Sequence, residues 1–191
     1  MSRLHRGARF ASRLLLAAGL LALGYAAYVV DDARAYQEIE RQRFEQARQT
    51  TSEPPPVADG DAIGEIQISR LGLDAIVVEG DSPAILQRAV GHLAGSGLPG
   101  ESGNVVLAGH RDTFFRPLRR VRSGDVITLK TRHGDFDYRV ESTAVVSPDD
   151  VDVLQPTGGR TLILVTCYPF SYLGSAPDRF IVRAREITAS R

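Results

Sequence analysis

The chain has 191 residues, 43% hydrophobic and 24% charged, with 23 basic side chains against 23 acidic. That length and balance exclude a large multidomain assembly and a disordered charged tail, and a formal net charge of zero supplies no basic field for nucleic acid. A single cysteine forbids an intrachain disulfide and a zinc site built on cysteine pairs, and the four histidines show no HExxH spacing, so neither a metal nor another cofactor is expected.

At the N-terminus Arg3, Arg6, Arg9 and Arg13 precede LLLAAGLLALGYAAYVV, an uncharged run over residues 14–30 that Asp31 and Asp32 close. Such a run sits at the short edge of the ~17 to 25 residues that span hydrocarbon. Tyr28, Val29 and Val30 carry it past the small pair Ala26-Ala27, which favours an uncleaved signal anchor over a cleaved secretory peptide. Positive residues prefer the cytoplasmic side, so residues 1–13 read as a cytoplasmic basic segment, residues 14–30 as a single transmembrane helix, and everything after as extracytoplasmic. Residues 31–48 are rich in helix formers and charges and read as a solvated helical stalk. Three prolines in TTSEPPPVADG forbid helix and favour a stiff spacer, so 31–60 is assigned to stalk and linker and 61–191 to a folded domain.

Within that domain the pattern is mainly β. GEIQIS and AIVVEG flank RLGLD as a hairpin, and SPAILQRAV, with Ser82 as N-cap and Pro83 in the first turn, reads as a short helix. NVVLAGH, DVITLKT, FDYRVEST, TLILVTC and RFIVRAREI read as further strands separated by SGLPGESG, RSGD, RHGD and PTGGR turns. Short strands at this spacing point to a barrel or sandwich.

Cys167 ends the apolar run TLILVTC, where a cysteine is commonly an inert small hydrophobe. In an exported chain, however, an unpaired thiol is a liability unless it is used. His110 caps NVVLAGH in the same way, so both side chains can emerge at one end of a sheet, although a turn histidine is the plain alternative. Arg179 opens the last strand, where a surface arginine is the default. Together the three have a chemical logic: a thiolate attacks an acyl carbon, an imidazole protonates the leaving amine, and a guanidinium holds the oxyanion.

NVVLAGHRDTFFRPL, LVTCYPF and APDRFIVRA together resemble the sortase family of cysteine transpeptidases, and its class D members most. The family's Thr-Leu-x-Thr-Cys signature corresponds to Ile163-Leu164-Val165-Thr166-Cys167, with the first threonine absent here. The resemblance extends to IGEIQISRLGLDAIVVEG, where Ser69 stands in place of the usual class D proline, and to AVGHLAGSGLPGESGN. It implies an eight-stranded sortase-type β-barrel with short helices, behind the transmembrane helix and stalk. His110, Cys167 and Arg179 would converge as catalytic residues on a protein carrying an LPxTG- or LPxTA-like sorting signal. Cys167 would attack the threonine carbonyl, His110 would protonate the departing amine, and Arg179 with a backbone N–H near Thr166 or Tyr168 would hold the oxyanion. An amine acceptor, such as a peptidoglycan precursor or a pilin, would then resolve the thioacyl enzyme, or water would hydrolyse it. Phe170, with Phe114, Phe115 and Tyr172, is expected either to line a groove for the signal's leucine and proline or to pack in the core.

The remaining candidates have plain readings. His92 reads as a turn or packing residue and His133 as a hairpin surface residue. Asp112 either orients His110 or caps the following turn. Asp149, Asp150 and Asp152 read as turn residues and not calcium ligands, because no EF-hand spacing surrounds them. Lys130, the only lysine, reads as a strand residue. L,D-transpeptidase and papain-like enzymes fit the neighbourhood of Cys167 and the chain order poorly. The non-enzymatic alternative is an anchored β-barrel binding module with a buried, inert thiol.

Overall fold

The computed structural model of the chain describes residues 2–50, 56–155, 158–172 and 174–187, with side chains from residue 9 onward. Residues 51–55 of the expected proline-rich linker and 156–157 of the PTGGR turn lie outside the described residues. The chain divides into two units, Met1–Tyr36 and Gln37–Arg191.

The first unit is helical, the N-terminal part of α1 (Ser2–Arg48). Its leucines stand in the open, with Leu15 74% and Leu21 75% exposed, and the helix is long and apolar enough to cross a membrane. An exposed apolar helix of this length is compatible with a membrane anchor.

The second unit is a closed eight-stranded barrel in the order β1-β2-β3-β4-β7-β8-β6-β5. Its strands are β1 (Ala62–Ile68), β2 (Leu73–Glu79), β3 (Val90–His92), β4 (Gly103–Ala108), β5 (Val126–Thr131), β6 (Gly134–Val146), β7 (Arg160–Tyr168) and β8 (Asp178–Glu186). Alternation sets the two faces. Val105 and Leu107 of β4, Leu162 and Leu164 of β7, and Val182 and Ala184 of β8 fill the interior with Ile66, Ile127 and Tyr138. The β1–β2 hairpin turns through a 3-10 turn, Ser69–Leu71, and Gly72 takes φ +65 there, a conformation in which a Cβ would be strained.

Two expectations need correction. The helix read over SPAILQRAV is α2, Pro83–Arg88, capped by Ser82; Ala89 is already extended, and Val90–His92 forms β3, parallel to β2. Residues 37–48, read as part of a solvated stalk, instead lie against the barrel. Phe44 is 1% exposed, and Gln37 accepts from the Ile76 amide at 2.8 Å while donating to Arg88 O at 2.7 Å. Arg41 pairs with Asp74 and with buried Glu65, and Arg48 pairs with Asp135. Glu65, 3% exposed, is also met by Lys130 Nζ at 3.0 Å, so the only lysine serves a buried ion pair.

Arg70, in the β1–β2 turn, fastens this hairpin to the segment before β5. Its Nε and Nη2 donate to the two oxygens of Asp125 at 2.5 and 2.6 Å, and Nη2 also reaches Arg120 O at 2.7 Å. The Arg70 guanidinium holds the Asp125 carboxyl below its ordinary range. A carboxyl depressed by folding stabilises the fold above its unfolded value and loses that contribution as pH falls through the native one. Asp125→Asn is therefore expected to destabilise the detergent-solubilised chain by about 1–3 kcal/mol at pH 7 in urea unfolding. The gap to wild type should close as pH drops below the ordinary aspartate value of ~3.9. A gap unchanged from pH 7 to pH 2 would contradict the pairing.

Candidate active site

The site is set by strand register. β4 and β7 run parallel, pairing Gly103 with Arg160 through Ala108 with Val165. One step beyond the ladder, Gly109 N donates to Val165 O at 3.2 Å, and buried Thr166 Oγ1 donates to Gly109 O at 2.7 Å across the same 57-residue separation. His110 and Cys167 share that separation and follow at the next step. On the other side of β7, Cys167 pairs with Arg179 of β8. Cys167 and Arg179 thus stand directly opposite each other, and His110 follows two residues after the last paired residue of the neighbouring β4. They lie where β4 and β7 end and β8 begins.

Directly paired strand residues point to one face. Because Leu162 and Leu164 face inward, Cys167 shares the outer face of β7 with Ile163 and Val165, and Arg179 shares that of β8 with Ile181. His110 is exposed, while Cys167 and Arg179 are half-buried. The Arg179 guanidinium folds back on its own loop, with Nη1 donating to Asp178 O at 3.0 Å and Ala176 O at 3.4 Å.

From Cys167 an apolar strip descends the outside of the barrel. Val106, Ile163 and Ile181 are buried there, flanked by Leu93, Val146, Val153, Leu154 and Val165. The 3-10 turn Val151–Leu154 in the β6–β7 connection lies along the strip. Asn104 Nδ2 donates to Leu154 O and Gln155 O at 2.9 Å each, and Arg183 Nη2 donates to Val153 O at 2.6 Å. The turn and its flanking side chains thus cover the strip, and Val165 and Val146 stay only half-buried beside Cys167 and Arg179.

Thr166, Tyr168 and Phe170 are placed differently from the thiol. Thr166 is buried and bonded to Gly109 O. Tyr168, Phe170 and Phe180 form an aromatic group, with Phe170 edge-on to both neighbours at centroid distances of 6.0 and 5.3 Å. Phe170 and Phe180 pack on the interior cluster, so this group closes the barrel mouth beneath the site. Phe115 is fully buried and Phe114 packs on the core, whereas Tyr172 is 47% exposed.

Asp112 is exposed, and its recorded partner is Arg111 Nε at 3.6 Å. His92 is buried with its ring nitrogens toward Glu79 Oε2 at 2.6 Å, Ser96 Oγ at 2.9 Å and Gly97 O at 3.0 Å, a packing role behind β4. His133 is exposed in the β5–β6 hairpin. Asp149, Asp150 and Asp152 are exposed, and among the described residues no group of three His, Cys, Asp or Glu side chains is arranged to hold a metal. Two features escaped the sequence reading: the apolar outer strip and buried Arg111. The first had a signal, since TLILVTC is apolar at inward and outward positions alike.

Residues 66–187 match the family described as the sortase domain. The chain is 33% identical to sortase D of Bacillus subtilis over 192 aligned residues, covering 91% of this chain and 96% of that protein. Among solved structures it is similar to a sortase D5 transpeptidase of Clostridium perfringens, with TM-score 0.67 and 30% identity over 81% of this chain and 98% of that one. Sortase C of Clostridium perfringens superposes with TM-score 0.63 and 27% identity over 84% and 90% of the two chains.

Proposed function

This chain belongs to the sortase family of cysteine transpeptidases, and from that premise we propose that Cys167 cleaves a sorting signal of LPxTG or LPxTA type after its threonine. The Cys167 sulfur attacks the threonine carbonyl, a C–S bond forms, and the C–N bond to the following residue breaks. His110 gives the departing amine its proton, and Arg179 holds the oxyanion. An incoming amine, from a cell-wall precursor or a pilin, then displaces the thiolate and forms a new amide; water in its place gives hydrolysis. The observation that carries this reading is the direct pairing of Cys167 with Arg179 on β7 and β8, with His110 just past the end of the adjoining β4.

Leucine and proline precede the threonine, so a peptide with its carbonyl at Cys167 sets them near the half-buried Val165 and Val146, where burial contributes roughly 1.5–3 kcal/mol for a leucine. The N-terminal helix anchors the enzyme, with Arg3, Arg6, Arg9 and Arg13 on the cytoplasmic side and the barrel outside.

The test uses the full chain in detergent micelles, a library of LPxTx peptides and hydroxylamine as acceptor, read by mass spectrometry. Hydroxamate products ending at threonine are expected. Arg179→Lys should lower turnover by about 100-fold, because a point charge replaces the planar fork. Cleavage at another bond, or none with any peptide, would count against the assignment.

A further inference from the structure

Arg111 follows His110 in the chain, yet only 7% of it is exposed. A cationic side chain is seldom buried so far without a defined set of acceptors. Its Nη2 donates to Tyr172 O at 2.7 Å and to Gly174 O at 2.9 Å, and the guanidinium lies 6.0 Å from the Tyr172 ring centroid. Among the described residues Nε and Nη1 find no hydrogen-bond acceptor, and Nε has the 3.6 Å ion pair with exposed Asp112.

The two acceptors decide what this side chain does. Tyr172 and Gly174 lie in the connection between β7 and β8, whose two ends are Cys167 and Arg179. The residue beside His110 is therefore tied to the middle of the loop that joins the other two members of the site. On the opposite side of His110, Gly109 O accepts from Thr166 Oγ1 at 2.7 Å. His110 is bracketed by two cross-links to the segment carrying Cys167, one at strand level and one above it.

We propose that Arg111 is a positioning residue for transpeptidation: its clasp on Tyr172 O and Gly174 O sets the placement of His110 against Cys167 and Arg179. The inference rests on the roles proposed above for those three. A guanidinium suits the task because its planar fork meets two carbonyls in a fixed geometry, which a flexible lysine ammonium does not reproduce. A buried charge is also an inefficient way to gain stability alone, since an apolar residue of similar volume often does as well. Small displacements of reacting groups, in contrast, are costly to rate.

The test compares wild type, Arg111→Gln, Arg111→Lys and Cys167→Ala in the full chain in detergent micelles, with an LPxTG peptide and hydroxylamine. Turnover of the three chains that keep Cys167 is normalised to the fraction of folded protein whose thiol is alkylated by iodoacetamide, and that of Cys167→Ala to folded protein. Arg111→Gln is expected to lower kcat on the order of 10- to 100-fold while the peptide KM stays within about threefold, with Arg111→Lys intermediate. Wild-type kcat per reactive thiol in folded Arg111→Gln, or a change confined to KM, would overturn the proposal. If Arg111→Gln does not fold, Arg111→Lys decides by the same criterion, and failure of both to fold overturns the positioning role in favour of a purely structural one. Turnover persisting in Cys167→Ala would instead overturn the assigned roles of the site.

Discussion

Cys167→Ala is expected to lower turnover of an LPxTx peptide with an amine by on the order of 10⁴-fold or more, because no other group in the site replaces the departing nucleophile. Folding should survive the change. Cys167 is half-buried on the outer face of β7, while the interior is held by Leu162, Leu164 and their partners on β4 and β8. Thermal unfolding of the variant in detergent should therefore stay within a few degrees of wild type, as for other mild surface changes in a domain of this size. Retention of a tenth of the wild-type rate, with folding intact, would exclude Cys167 as the nucleophile.

The second large effect concerns stability and lies at the other end of the barrel. The strip of α1 formed by Gln37, Arg41, Phe44 and Arg48 touches β-strand residues through one buried ring and several ion pairs. Phe44 is 1% exposed and lies with Val57, Ile63, Leu98 and Pro99 at one cleft, so its ring is a packed part of the contact. Phe44→Ala is expected to cost about 3–5 kcal/mol in urea unfolding of residues 37–191. A chain beginning at residue 57 should lose at least as much, because it also leaves Glu65 without Arg41 and the Ile76 amide without Gln37. A difference below about 1 kcal/mol between the two lengths would contradict a docked helix, since that is the size of a surface effect.

Particular residues show why some of this was legible in the sequence. Seven strands announce themselves by β-branched runs or alternation between turn signals, and the apolar run at 14–30 by its length. β3 does not, because Val90, Gly91 and His92 are too few to display a period and follow directly on a helix. The docked face of α1 hides for another reason. Among Gln37, Arg41, Phe44 and Arg48 only one residue is apolar, whereas the more conspicuous Ile39 is 48% exposed. Polar contacts of this kind leave no hydrophobic pattern.

The site divides in the same way. His110 and Cys167 each cap an apolar strand, which places them at strand ends but not beside one another. That the two strand ends lie at the same end of neighbouring strands depends on a parallel register between segments 57 residues apart, a non-local property that only the closed barrel fixes. The pairing of Cys167 with Arg179 is likewise set by the β7–β8 ladder, not by the residues themselves. Arg111 was hidden because its partners are backbone carbonyls, which any sequence supplies.

The central claim is that the Cys167 sulfur carries the acyl group between signal and amine. It is tested most directly by mixing the full chain with an LPxTG-type peptide in the absence of an acceptor amine, quenching in acid, and mapping the intact and digested protein by mass spectrometry. A mass increase equal to the peptide up to its threonine carbonyl, located on Cys167 and discharged by hydroxylamine, is the predicted result. Peptide cleavage with the adduct on a different residue would contradict it.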